Sequence, residues 1–410
     1  MRPAEAPCPA LDRADAASTQ CGAVVLLIIA LVVGAVFGVY WIAQIVFVWL
    51  HLRWTNAQVP SDASDAAWPV TVIHPIKDRD HELELNLDSW LRQDYRGAIQ
   101  HIFSLQDPED AALPAVRALG GRWPAGDIAV IVNPLLPGLN GKSSNMVHAL
   151  ARAKHEIVLF GDSDTRVRPD FVLKMVRPLR DERVGVTTCG QINIGGRDFW
   201  TRFFTFIQNC ETDFNWAFLT KLGMDVGITG AAFAMRRALI EQIGGLQRFG
   251  GSLLEDMSLG NLLYREKYRI VLGPFVECHV RRFDSSKSIN YIKRLAVGIR
   301  RHIAVEMPIF VLMLSWYWLI LAAGLIARNR TVVVLALGCA ALRVALGLVQ
   351  RVVTMNRVRL VDAALPLLFD VVGTFALLAS FRTPYVSWRG IRYKVDPGGD
   401  IEEITFEKIR

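Results

Sequence analysis

The chain is poor in charge and poor in cysteine. Of its 410 residues only 21% are charged and six are cysteines, while 52% are hydrophobic. So little charge with so much apolar content excludes an intrinsically disordered protein. Thirty-one glycines in 410 residues are far from the one-third of a collagen. The cysteines (Cys8, Cys21, Cys189, Cys210, Cys278 and Cys339) are scattered, with no C-x-x-C and no Cys/His ligand spacing. That excludes a small disulfide scaffold and a structural zinc site and leaves reduced thiols. No G-x-x-x-x-G-K-[ST] occurs, so there is no P-loop. Acid is in slight deficit: 46 Lys+Arg against 39 Asp+Glu gives +7. A basic balance can signal nucleic acid, anionic lipid or a phosphorylated substrate. Beside long apolar runs it reads more simply as basic loops flanking membrane helices, and no nucleic-acid partner is expected.

The apolar residues come in blocks. Gly22–Leu50 is almost purely apolar, longer than the roughly 20 residues that span hydrocarbon and too long for a signal-peptide core. It closes on Tyr40, Trp41 and Trp49, an interfacial belt. We read a retained transmembrane anchor at 22–50, after a tail at 1–21. Three further blocks are Met307–Ala327, Thr331–Val349 and Leu360–Phe381, broken by RNR and RVVTMNRVR. They give two or three closing spans within 307–381 and a tail at 382–410. Arg343, Asp362 and Asp370 fall inside these blocks and are expected to pair between helices. The basic tail RTPYVSWRGIRYK conflicts with three full crossings, which would put it opposite the soluble part. Either one block does not fully cross or the charge rule fails. An ordinary soluble stretch lies between the blocks, which excludes an all-membrane transporter.

That soluble stretch alternates strand and helix. Strands are expected at Val70–Pro75, from Ile99, from Ile128 and after Glu156, with helices around Leu83–Leu91, Ala111–Leu119, Ser144–Ala153 and Asp170–Leu179. Such alternation predicts crossover units, a mostly parallel sheet with flanking helices, and a ligand site at the carboxyl ends of the strands. Two strands end in acid: Asp107 after SLQ, and Asp162 with Asp164 after VLFG. Carboxylates at i and i+2 on a strand-to-loop turn can share one Mg²⁺ or Mn²⁺, which takes its other ligands from phosphates and water. The same pattern also serves as a solvated turn. Glu255-Asp256, after a glycine-rich stretch, offers a general base at Asp256 or an acidic helix start. Asn140-Gly-Lys142-Ser-Ser-Asn145 offers a phosphate site at a helix N-terminus or an ordinary cap. Phe199–Leu219 carries Phe199, Trp200, Phe203, Phe204 and Ile207 on one helical face, which suits either a membrane interface or a buried helix.

Taken in order, HPIKDRDHELELNLDSWLRQDY, SLQDPED, NGKSSNMVHALARAKHEIVLFGDSDTRV, ITGAAFAMRR, LLEDMSLGNLLYREKYRI and WRGIRY resemble GT-A glycosyltransferases of the family 2 superfamily. The nearest resemblance is to the family 21 ceramide glucosyltransferases and the bacterial hopanoid-type transferases. It implies a Rossmann-like GT-A catalytic domain over 53–286, an interfacial helix near 199–219 and a basic amphipathic helix at 287–306. It also implies inverting transfer of a hexose from a nucleotide sugar, UDP-linked, to a lipid hydroxyl, ceramide first and a hopanoid or glycerolipid next. The roles carried over are nucleotide-sugar contacts at Lys77, Asp107, Lys142, Asn145, Asp162 and Glu255, a divalent cation on Asp162 and Asp164, and the base at Asp256. The family's (Q/R)-x-x-R-W motif is missing: Tyr291-IKRLAVGIRRHIAVEMP has no Trp. Arg294, Arg300 and Arg301 stand there as diphosphate contacts or as a basic face against headgroups. The missing R-W and the few spans weigh against a polysaccharide synthase, and the full set of acidic residues weighs against an inert binding protein. Because nucleotide sugars are cytosolic in bacteria, the catalytic face is expected on the cytoplasmic side of the inner membrane.

Overall fold

A computed structural model describes residues 9–57, 68–124, 126–225, 227–300, 307–355, 357–383, 385–388, 391–396 and 400–406. A long helix, α1 (Pro9–Asn56), leads in. The sheet then begins as its sequence requires. β1 (Val70–Pro75), β2 (Ile99–Leu105), β3 (Asp127–Val132) and β4 (Ile157–Gly161) alternate with α2 (Leu83–Leu91), α3 (Leu113–Arg122) and α4 (Gly141–Leu150). β1 and β4 are buried along their whole length, as near-continuous apolar strands are when helices cover both faces. Beyond them come β5 (Thr165–Arg166), α5 (Phe171–Val176), β6 (Val184–Thr188) and β7 (Gln191–Ile194). The aromatic segment follows as α6 (Phe199–Phe206), a π-helical stretch at Ile207–Asp213, and α7 (Phe214–Lys221). β8 (Ala232–Arg236), α8 (Arg237–Gln242), α9 (Glu255–Arg265), β9 (Arg269–Leu272), β10 (Val276–His279) and α10 (Ser285–Ile299) complete this part.

The main sheet has the order β3-β2-β1-β4-β8-β6-β9. Its pairs are parallel except on either side of β8, which runs against both β4 and β6. This is the mixed, mostly parallel α/β sheet expected from the sequence. The inserted β8 has a local consequence: its first residue, Ala232, pairs with Gly161 at the end of β4. The loop before β8 therefore lies over the carboxyl end of β4.

Three apolar helices follow: α11 (Met307–Ile326), α12 (Arg330–Met355) and α13 (Leu365–Ser380). Among the described residues four segments are long and apolar enough to cross a membrane: Leu27–Thr55, Pro308–Ile326, Arg330–Met355 and Leu360–Ser380. Their interior charges pair between helices. Arg343 of α12 donates to both carboxylate oxygens of Asp370 in α13, at 3.0 and 2.9 Å, and to Glu211 of the π-helical stretch at 2.6 Å. The Tyr317 hydroxyl of α11 donates to Asp370 at 2.6 Å, and the Trp41 ring of α1 lies 4.7 Å from the Arg343 guanidinium carbon. One buried arginine thus ties all four apolar helices to the sheet domain.

Both ends of α13 are also held by that domain. At its start, Asp362 pairs with Arg202 of α6, with one Nε–Oδ1 contact of 2.7 Å, and Arg359 donates to the Arg197 carbonyl. At its end, Arg300 of α10 donates to the carbonyls of Ser380 and Asp396. The tail then forms a three-stranded antiparallel sheet, β11 (Tyr385–Trp388), β12 (Ile391–Val395) and β13 (Ile401–Phe406), packed on Leu253 and Val297.

The aromatic segment is buried between the two parts. Phe203, Phe206, Ile207 and Cys210 pack against Ile292 of α10 and Leu365 of α13. Its polar face is tied down by Arg351 to Thr205 at 2.8 Å and by Gln350 to the Cys210 carbonyl at 3.2 Å.

Candidate active site

The site is built at the carboxyl ends of β1 and β4. Asn140 has the extended backbone of an N-cap, and its side chain accepts from the Ser143 N–H at 2.8 Å. Capping starts α4 there and sets Lys142 on its first turn. Lys142 reaches Asp162 at 2.7 Å and the Gly230 carbonyl at 2.6 Å. Asn140 also donates to Glu255 and to the Ser252 carbonyl, both at 3.2 Å, which fastens the Glu255-Asp256 turn to the start of α4. The cap and the candidate phosphate site are therefore one structure, and the two readings of this stretch are not exclusive.

Lys142, Asp162, Glu255 and Asp256 form one electrostatic cluster. Burial pushes the Lys142 ammonium toward losing its proton, yet the charges of Asp162, Glu255 and Asp256 outweigh that and hold its pKa above the ordinary lysine range. Burial raises the carboxyls in turn. Glu255 is pushed up to about 7 by burial and by the charge of Asp256, with Lys142 opposing. Asp256 is also raised by burial, against Lys142, the Met257 N–H at 2.8 Å and the positive charge of Arg294. Glu255 and Asp256 open α9, where the helix dipole favours anions by about 0.3–1 kcal/mol. The upward shifts mean that dehydration outweighs that term here. Gly230 is what lets the groups meet: a Cβ on it would sit 2.8 Å from both Asp256 Oδ2 and Lys142 Nζ. Three stretches far apart in sequence therefore converge on one point.

A cavity opens beside the cluster. Lys77, Lys142, Asn145, Asp162 and Ser163 line it together with Trp388, Ile391 and Tyr393 of the tail sheet. Asn145 donates to the Ile76 carbonyl at 3.1 Å while its Oδ1 is buried without a partner. The tail residues are the part that motif reading left without a role, although WRGIRY is among the matching stretches. Burial pushes the Tyr393 hydroxyl up to about 12, where it meets the Gly141 backbone. Arg294 lies 4.7 Å from the Trp388 ring centre.

Other candidates lie elsewhere. Asp107 follows β2 at the same edge of the sheet, but it is exposed, accepts from the Glu109 N–H at 2.9 Å, and does not line the cavity. Arg300 is buried away from the cavity on the Ser380 and Asp396 carbonyls, so of the two described basic positions it is Arg294 whose charge acts on the cluster. The reason is helical: six residues are 600°, so Arg294 and Arg300 point about 120° apart. Arg301 lies outside the described residues.

Asp162 and Asp164 stay close together beyond β4. Burial and the charges of Asp164 and Asp162 push the Cys278 thiol well up. Among the described residues no group of three His, Cys, Asp or Glu forms a metal cage. Asp162 lines the cavity and Asp164 follows two residues on, outside its lining; a carboxylate pair at that spacing fits a hard cation that completes its shell with diphosphate and water.

With this geometry in view, the chain was compared with known proteins. The sequence model of glycosyl transferase family 21 matches residues 26–401. Ceramide glucosyltransferase 3 of Caenorhabditis elegans is 25% identical over 244 residues, 59% of this chain and 52% of that protein. Ceramide glucosyltransferase 1 of the same organism is 27% identical over 191 residues, 46% of this chain and 40% of that protein. The chain therefore spans about half the length, or less, of these curated relatives. Among solved structures, a mannosyltransferase from Pyrobaculum calidifontis in complex with GDP-Man and Mn²⁺ is 20% identical with a TM-score of 0.47, covering 87% of this chain and 97% of that one. A glucosyl-3-phosphoglycerate synthase from Mycobacterium tuberculosis in complex with Mn²⁺, uridine-diphosphate-glucose and glycerol 3-phosphate is 20% identical with a TM-score of 0.36, covering 57% and 81%.

Proposed function

Since the chain belongs to glycosyl transferase family 21, we propose that it moves a hexose from a nucleotide sugar, UDP-glucose first, to the hydroxyl of a membrane lipid, ceramide first. The observation that carries the reading is the convergence of Asp162, Glu255 and Asp256 on Lys142 beside one cavity. The similarity to ceramide glucosyltransferases supports ceramide and glucose.

In this reading the donor's diphosphate lies along Lys77, Lys142 and Asn145, with the sugar toward Asp256 and Asp107 on the nucleoside side. Asp162 and Asp164 would hold a Mg²⁺ or Mn²⁺ ion, which when bound offsets charge on the diphosphate leaving group. Asp256 Oδ2 takes the proton of the acceptor hydroxyl. As that O–H bond breaks, the oxygen forms its bond to the anomeric carbon from the side opposite the diphosphate. The bond from that carbon to the diphosphate oxygen breaks with its electron pair, giving UDP and an inverted glycoside. Arg294 of α10, held over Trp388, adds to Lys142 in favouring the ionised form of Asp256 against its burial. Glu255 acts as a positioning residue through Asn140.

The catalytic domain and the tail are read as lying on one face of the inner membrane, the cytoplasmic face. Support comes from the contacts of both ends of α13 with the sheet domain, which fit a helix lying along the interface, with α1, α11 and α12 crossing. This reading removes the conflict between the basic tail and the number of spans.

Purified full-length protein in lipid nanodiscs, given labelled nucleotide sugars and a lipid extract, tests the proposal. The expected product by mass spectrometry is a one-sugar lipid with UDP-glucose, lost on chelating divalent cations. A polymer, or no lipid product from any nucleotide sugar, would refute it.

A further inference from the structure

A second cavity of about 280 Å³ lies outside the site described above, between α10 and α13. Ile289, Ile292 and Val297 form one wall, at the spacing of a single helical face, and Val372, Phe375 and Ala376 are central to the other. Polar side chains appear only at Lys293, Ser380 and Thr383. The α13 wall runs from Val371 to Ser380, about 14 Å at 1.5 Å per residue, with Thr383 just beyond the helix end. Ile289, Val371 and Phe375 are each more than a third exposed, and Phe375 is 67% exposed. On a helix lying along the membrane interface, an open apolar slot of this kind is accessible to lipid chains.

The slot is one helix away from the chemistry. Val297, at one end of the slot wall, also packs with Leu253, and Gly298 permits contact so close that a Cβ there would lie 2.7 Å from Leu254. Leu254 directly precedes Glu255 and Asp256. Arg294, whose charge acts on Asp256, is the residue after Lys293 at the slot's polar edge. A hydrocarbon chain in the slot would leave its polar end at the Lys293–Arg294 turn, beside the cleft.

We propose that this slot holds one hydrocarbon chain of the lipid acceptor and so sets which acceptors are used; the proposal rests on the lipid-transferase reading above. The small residues at Ala376 and Ala379 keep it open to a single chain, and among the described lining residues Lys293 is the one charged group.

Ala379→Trp tests it, because Ala379 lines the slot and is exposed, so an indole there fills the slot without entering the core. In nanodiscs the apparent KM for a long-chain ceramide should rise at least tenfold. The KM for UDP-glucose, and transfer to a short-chain ceramide, should stay within twofold. Equal effects on long and short acceptors, or no effect on either, would overturn the proposal. As a second measurement on unmodified protein, a ceramide carrying a mid-chain diazirine should label peptides from α10 and α13, with excess unlabelled ceramide competing. Labelling confined to other helices overturns the proposal, and so does labelling that ceramide cannot compete away, which marks a structural lipid. Should the protein transfer sugar to no lipid at all, the functional reading falls, while the labelling result still decides whether the slot takes a chain.

Discussion

Lys142 in the cleft and Arg343 among the apolar helices are both buried cations set among carboxylates, and they are satisfied in different ways. Arg343 uses its planar fork on both oxygens of Asp370, reaches Glu211, and lays its face against Trp41, while Tyr317 completes Asp370. Such bidentate geometry is what repays the cost of burying a charge. Lys142 is a point charge on a flexible stem, shared among three carboxylates and a carbonyl, on the wall of a cavity. There the negative groups exceed the cation, and the raised Glu255 and Asp256 record the imbalance. A closed ion cluster, with the carboxylate matched by the guanidinium fork, is architecture. An open one with surplus carboxylate has room for a further cation and for a proton to leave.

Substitution should separate the two. Arg343→Met strands two buried carboxylates and is expected to cost about 3–5 kcal/mol of stability, read as a lower unfolding temperature in detergent. UDP binding by the remaining folded protein should change less than twofold. Adding Asp370→Leu should recover much of the loss, as replacing a whole buried pair often does. A stable single variant would remove Arg343 as the tie between helices.

Lys142→Met should act on ligand instead. Losing a charged hydrogen bond to the diphosphate is worth about 1.5–3 kcal/mol, so UDP affinity by calorimetry should fall roughly 10- to 100-fold. Unchanged UDP affinity would take Lys142 out of the donor site.

The smallest effect is on the pH dependence of stability. Glu255 is raised from its usual 4.5 to about 7 in the folded protein, so between those values the folded state holds a proton that the unfolded chain releases. Ligand-free protein should therefore lose stability as pH rises from about 4.5 to 7, and Glu255→Gln should flatten that slope. An unaltered slope in the variant would place Glu255 outside the cluster.

Much of this contrast was legible in the sequence. Local periodicity marked β1 to β4 with their helices, and apolar runs feeding into Asp162 and Asp107 marked the edge of the sheet where the site forms. Pairing of Arg343 with Asp370 follows from the expense of lone charges in apolar helices. What stayed hidden was non-local. No pattern in Ala232–Arg236 says that β8 inserts beside β4, yet that insertion puts Gly230 between Lys142 and Asp256. The tail's strands are too short and too mixed to reveal that Trp388 and Tyr393 wall the cavity. Leu360–Ser380 has the length and hydropathy of a span, and only the partners of Asp362 and Ser380 show both its ends on one domain.

The most direct test of the cleft is single-turnover transfer from UDP-glucose to ceramide by the wild-type protein and by Asp256→Asn, with UDP-glucose affinity measured on both. Transfer should fall by about 10²- to 10⁴-fold, the usual worth of a general base, with affinity within threefold. Near wild-type transfer by Asp256→Asn, or a loss of transfer matched by an equal loss of binding, would contradict the role of Asp256 as the base.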